Sequence, residues 1–307
     1  MLDRHPLIAL PPETAGMIPD LYARRDSYGE DGRIDNVDRF LNDLTTHPAF
    51  LRWGISAETV SREVGSRPTL SEGIDAAYLA YARAHGKRGW GDKTPRYLER
   101  MPLLADLFPT SRYIHLVRDG RDVALSQVDL QRLHRHAASV AFFWKRKVRT
   151  ARTVGRRLGA ARYMEVRYED LLINPQEELE RLCLFLGVRF VPVMLAHDSG
   201  ALERELKRMP LPAQRQHQRL LLPPTRGLRD WRVQMTTSDV AEFEAIAQSA
   251  LLEFGYPPAG IRVRLGDRVR AWFRVAKFAV RSTIPRIRSR RREKDSWLTS
   301  RVSTRMR

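Results

Sequence analysis

Arg112-Tyr-Ile-His-Leu-Val-Arg-Asp-Gly-Arg-Asp-Val-Ala-Leu-Ser126 decides how the chain is read. Tyr113 to Val117 is a short apolar run rich in β-formers, the pattern of a buried strand in a parallel sheet. Gly120 interrupts it, and Val123, Ala124 and Leu125 begin a helical spacing. In α/β proteins an anionic ligand is held where a strand ends, beside helix amides and a fixed guanidinium. Arg118 stands at that point and is the first candidate ligand-binding residue.

Length and composition narrow the classes. A chain of 307 residues can bury a sizeable core as one large or two small domains. With 43% hydrophobic and 29% charged residues it is globular rather than disordered. Cys183 is the single cysteine, set in an apolar helical run, which excludes an internal disulfide framework. No stretch reads as a signal peptide or a membrane span, so the expected location is cytoplasmic. The net charge of +18 is uneven. From Ile261 to Arg307 there are 16 Lys/Arg against three acids, Asp267, Glu293 and Asp295, so the preceding body is only mildly basic. That balance suits an enzyme for an anionic substrate.

Upstream of the opening stretch stands Trp90-Gly-Asp-Lys-Thr-Pro95, then a helical pattern over Tyr97 to Phe108. Downstream stands Arg162-Tyr-Met-Glu-Val-Arg-Tyr-Glu-Asp-Leu171, a second buried strand running into a turn. Lys93-Thr-Pro, Arg118-Asp-Gly-Arg-Asp with Ser126, and Tyr168-Glu-Asp-Leu together resemble the sulfotransferase family that uses the activated sulfate donor PAPS. The bacterial branch related to tyrosylprotein sulfotransferases is the most similar. The resemblance covers Met1 to Pro258.

The resemblance implies roles residue by residue. Arg118 and Ser126 would grip the 3′-phosphate of the donor; spacing alone points to Arg118 but not to Ser126. Tyr168 would lie by the adenine, with Glu169 and Asp170 as turn and cap residues. Lys93 would stabilise charge on the leaving phosphate oxygen, where fixed positive charge does most of the work in such displacements. Arg226 and Gly227, in Pro223-Pro-Thr-Arg-Gly-Leu-Arg-Asp-Trp231, loosely match a loop that closes over the 3′-phosphate. Arg229 stands where related enzymes often carry Ser, which leaves its role open. Glu13, in Leu10-Pro-Pro-Glu-Thr14, matches the general base of tyrosylprotein sulfotransferases. Its sequence context alone fits a surface or capping carboxylate as well, since a base is identified by its reach to the acceptor proton. No metal is required, and no ligand set for one is visible; His134 and His136 lack a third partner. His115 fits a satisfied core histidine.

One family feature is missing. A Pro-Arg-Ser-Gly-Thr-Thr type of loop, which cradles the 5′-phosphosulfate through backbone N–H groups, is nowhere in these 307 residues. Met1-Leu-Asp-Arg-His-Pro6 reads as the end of a helix with no strand before it. The expectation is a natural start upstream of Met1 rather than a degraded gene, and poor donor binding without measurable transfer by the chain as written.

The expected fold class is α/β: a P-loop-like, doubly wound, mainly parallel sheet with helices on both faces, over residues 1–258. Residues 259–307 are expected to form a basic amphipathic tail. Val269, Trp272, Phe273, Ala276 and Val280 share one face of it, and Arg270, Arg274, Lys277 and Arg281 another. Arg286 to Lys294 adds a polybasic block. The pattern fits attachment to an anionic membrane surface, or a helix packed on its own core followed by a disordered tail. It carries no motif for specific nucleic-acid recognition. The expected activity is PAPS-dependent sulfuryl transfer, by direct displacement, to a hydroxyl acceptor such as a tyrosine, carbohydrate or lipid. Two rivals remain at this point: a nucleotide-dependent kinase of related fold, and a non-catalytic membrane or nucleic-acid binder.

Overall fold

A computed structural model describes residues 1–129, 136–196 and 229–278. Arg226, Gly227 and the block from Arg286 to Lys294 lie outside the described residues.

In chain order the elements are β1 (Ile8–Ala9), α1 (Met17–Ala23), α2 (Val37–Thr45), α3 (Ala57–Ser61), α4 (Leu70–Ala84) and β2 (Gly89–Trp90). Then follow α5 (Met101–Leu107), β3 (Tyr113–Val117), α6 (Gly120–Asp129), α7 (Ala137–Leu158) and β4 (Tyr163–Arg167). The last are α8 (Tyr168–Ile173), α9 (Pro175–Leu186), α10 (Trp231–Gln234), α11 (Thr237–Glu253) and α12 (265–278). The strands pair in parallel, β1 with β2 and β3 with β4. Alternating helices and parallel strands make this an α/β protein.

Local chemistry explains most boundaries. Thr69 caps α4 in a reciprocal box with Glu72. Pro175 opens α9 at a position where its missing N–H costs nothing, and Gly187 ends it at φ 74°, in the left-handed region. Thr236 caps α11.

Four expectations need correction. Met1 to Pro6 is not the end of a helix: a single 3-10 turn at Leu2–Arg4 leads into β1, whose partner lies some eighty residues away. Tyr97 to Phe108 is not one helix. A 3-10 stretch at Pro95–Arg100 gives way to α5, which restarts with Pro102 in its first turn, where a missing N–H is tolerated. The helix after β3 begins at Gly120, three residues earlier than Val123 suggests. Finally, β3 and β4 are half-buried rather than fully buried; Leu116 is 51% exposed. Among the described residues each has one paired edge, so side chains are covered chiefly by helices.

The chain divides into two compact units, Met1–Val117 with Thr150–Thr225 and Arg118–Arg149 with Arg226–Arg307. In the first, α1, α2 and α4 pack around Ile18, Phe40, Ile74 and Tyr78, and Trp90 stacks on Tyr78 at 4.1 Å. His115 is buried there, its Nδ1 2.7 Å from the Tyr163 hydroxyl. In the second unit Trp144 of α7 meets Phe243 of α11 and Phe254 just beyond its end.

Candidate functional site

The first unit positions Glu13 and Lys93. Register pairs Ile8 with Gly89 and Ala9 with Trp90, so the two chains leave the same carboxyl end of the strand pair. Four residues beyond Ala9 comes Glu13, and three beyond Trp90 comes Lys93. The Lys93 ammonium forms an ion pair with Glu13 Oε1. Both side chains face solvent, at 47% and 71% exposure, so the pair contributes at most about 1 kcal/mol and opens readily.

Beneath this pair lies a buried polar lock that sequence reasoning missed. Thr14, completely buried, donates its N–H to Thr94 Oγ1 at 2.9 Å. Thr14 Oγ1 donates to Asp92 Oδ2 at 2.7 Å and lies 2.7 Å from the Tyr97 hydroxyl. Tyr78 also donates to Asp92 Oδ2, at 2.6 Å. Burial, the largest cause, raises the pKa of both Tyr78 and Tyr97 above the ordinary phenol value, so each remains protonated at neutral pH. The residues flanking Glu13 and Lys93 are thus tied to each other rather than to water. Arg52 adds a 2.5 Å bond from its Nη2 to the Glu13 carbonyl. Ala15 follows at φ 53°, a left-handed conformation that costs a non-glycine residue about 1 kcal/mol or more. The only sequence signal for this lock was the polar character of Thr14, Asp92 and Thr94 beside short strands.

Arg118 leads the second unit. Its Nη2 donates to Asp122 Oδ2 at 3.5 Å and to the Arg229 carbonyl at 3.4 Å, and its own carbonyl accepts from the Trp144 indole at 3.1 Å. Asp122 also accepts from the Trp231 amide at 3.0 Å. Asp122 and Ser126 are four residues apart on α6 and therefore share a face. Burial, then the charge of Arg118, lower the pKa of Arg229.

The second arginine of the motif has a different task. Arg121 is fully buried. It donates to both Asp119 oxygens at 3.0 and 2.8 Å, to Glu244 Oε1 at 2.8 Å and to the Pro257 carbonyl at 2.9 Å. Its guanidinium lies 3.7 Å over the Trp231 ring. Asp119 Oδ1 also accepts the Arg121 amide at 2.9 Å, so that helix-terminal N–H is already engaged within the protein.

Tyr168 opens α8 directly after the last residue of β4. Glu169 and Asp170 occupy its first turn. A polar groove of about 790 Å³ lined by Asp26, Tyr28, Glu30, Asp35 and Asp38 contains none of the predicted site residues. Among the described residues no group of three or more His, Cys, Asp or Glu is placed to hold a metal ion.

A family model described as the sulfotransferase family matches residues 1–192. The chain belongs to the sulfotransferase family. Among curated relatives, this sulfotransferase-family chain is 24% identical to protein-tyrosine sulfotransferase 2 of Gallus gallus over 211 residues, 64% of this chain and 49% of that one. It is 26% identical to the nodulation protein NoeE of Sinorhizobium fredii over 282 residues, 83% of this chain and 62% of that one. The chain thus spans about half to three-fifths of the length of these relatives. Its fold is similar to that of a sulfotransferase domain from the Synechococcus PCC 7002 olefin synthase, with a TM-score of 0.51 over 91% of this chain and 87% of that one at 23% identity.

Proposed function

We propose that the chain transfers a sulfuryl group from PAPS to a hydroxyl acceptor by direct displacement. The observation that supports this most is the Glu13–Lys93 pair, locked from below by Thr14, Asp92 and Thr94. In-line displacement at sulfur needs a base on the entering oxygen and a cation on the leaving one. Those two groups stand on opposite sides of the sulfur during transfer, so the ion pair describes the resting state. Donor binding draws Lys93 to the bridging phosphate oxygen and leaves Glu13 to take the acceptor proton. Atoms balance simply: the S–O bond to the acceptor forms, the S–O bond to the nucleotide breaks, and the acceptor proton goes to Glu13.

Arg118 and Ser126 would hold the 3′-phosphate, Tyr168 the adenine, and Arg226 and Gly227 the closing loop. Arg229, beside Arg118, would add a second cation at the phosphate. The acceptor class is a hydroxyl on tyrosine, carbohydrate or lipid. The test is binding of the product nucleotide, 3′-phosphoadenosine 5′-phosphate, by calorimetry on the full-length protein. Arg118→Ala should weaken it about 30-fold or more, corresponding to ~2 kcal/mol for a lost guanidinium–phosphate contact. Unchanged affinity would remove the assignment.

A further inference from the structure

Two apolar stripes run along α12, and they face opposite ways. The inner one contains Ala271 and Val275, both buried. Beside it, Arg274 Nη1 reaches Glu242 Oε2 at 2.5 Å, and Arg270 pairs with Asp267 and lies 3.6 Å from Glu242. Two of the cations on the basic face read from the sequence are therefore paired with a buried carboxylate of the second unit, although Arg270 keeps 54% exposure. The outer stripe is Leu265, Val269, Trp272 and Phe273, exposed by 78, 62, 53 and 68%. Their spacing places them within about 100° of the helix surface.

Charge identifies what covers this outer stripe. Arg268 and Lys277, both exposed, flank it on its two sides, and exposed Arg262 and Arg264 precede it. The 29 residues that follow, 279–307, hold ten Lys/Arg against two acids. The chain's own tail and a second copy of this face carry the same sign as the rim and are repelled by it. A nucleic acid would match the cations and leave four large apolar side chains in water. An anionic bilayer matches both, taking the apolar row at the boundary of acyl chains and the cations at its phosphates.

We propose that α12 is a membrane-surface docking element, lying in the headgroup layer of an anionic bilayer with Leu265, Val269, Trp272 and Phe273 inserted. It lies in the interface; among the described residues no helix is long and apolar enough to cross a membrane.

The experiment is co-sedimentation of the full chain with vesicles of phosphatidylcholine, alone or mixed with phosphatidylglycerol. Binding should be confined to the mixed vesicles and weaken with salt. Trp272→Glu with Phe273→Glu should lower partitioning at least about 10-fold, and Trp272→Leu with Phe273→Leu should retain it. On the unaltered chain, acyl-brominated lipid should quench tryptophan fluorescence, a readout independent of how any variant folds. Undiminished binding of the glutamate variant would show that the polybasic tail acts alone and would overturn the proposal. So would absence of quenching, or a dimer dissolved by the glutamate substitutions in a chain that ignores vesicles. Retention on DNA with no affinity for either vesicle would equally assign the face elsewhere.

Discussion

Arg118 and Arg121 sit three residues apart in one motif and have unlike environments. Arg118 keeps partial exposure, with side-chain bonds at 3.4 to 3.5 Å. Arg121 is closed in by Asp119, Glu244, Pro257 and Trp231. Arg121→Ala removes the partner of two buried carboxylates, and breaking a buried pair in this way costs about 3–5 kcal/mol. Chemical denaturation should show that loss as a lower midpoint; a change below about 1 kcal/mol would mean that water replaces the guanidinium. Glu13→Gln is the opposite kind of change. It leaves volume and the Thr14 lock in place but removes a proton acceptor. Turnover should fall about 10²- to 10⁴-fold while nucleotide binding holds. Full activity in that variant would exclude Glu13 as the base.

At the scale of elements, short-range signals were reliable where a cap or a punctuating residue acts locally. Pro175, Gly187 and Thr236 bound their helices as their chemistry requires. Gly120 shows the limit. Its position between strand and helix suggested a turn, yet it is the first residue of α6, outside the glycines with positive φ. The reason for glycine is close approach: a Cβ there would stand 2.5 Å from Trp144 Cδ2 and 2.6 Å from Phe243 Cζ. Gly120→Ala should therefore destabilise by about 1–3 kcal/mol, the range of overpacking, and thermal melting reads it directly. A neutral result would mean that Trp144 shifts freely. Sequence cannot show such a requirement, because Trp144 and Phe243 lie far along the chain from Gly120.

Over the whole molecule, a buried histidine contributes to acid sensitivity. Burial lowers the pKa of His115 from the ordinary 6.5. A group whose folded pKa lies below its unfolded value binds protons more weakly when folded. Well above pH 6.5 the imidazole is neutral in both states and contributes no slope. As pH falls towards and below that value the unfolded chain gains the proton first, so stability declines towards the folded pKa. Equilibrium unfolding across mildly acid pH should show this decline, and His115→Gln should flatten it; a profile identical to wild type would place the acid sensitivity elsewhere.

The sequence by itself determined the fold class, the family and the candidates Lys93, Arg118 and Tyr168, because these rest on short motifs and on periodicity within single elements. It also located the basic helix at the carboxyl end. Only tertiary structure decided that Glu13 and Lys93 meet, that Thr14 and Asp92 lock them, and that α12 pairs Arg270 and Arg274 with the buried Glu242 while Trp272 and Phe273 stay largely exposed. Each of those depends on residues distant in sequence being brought within a few ångströms, and a linear pattern holds no record of which side of a helix finds a partner.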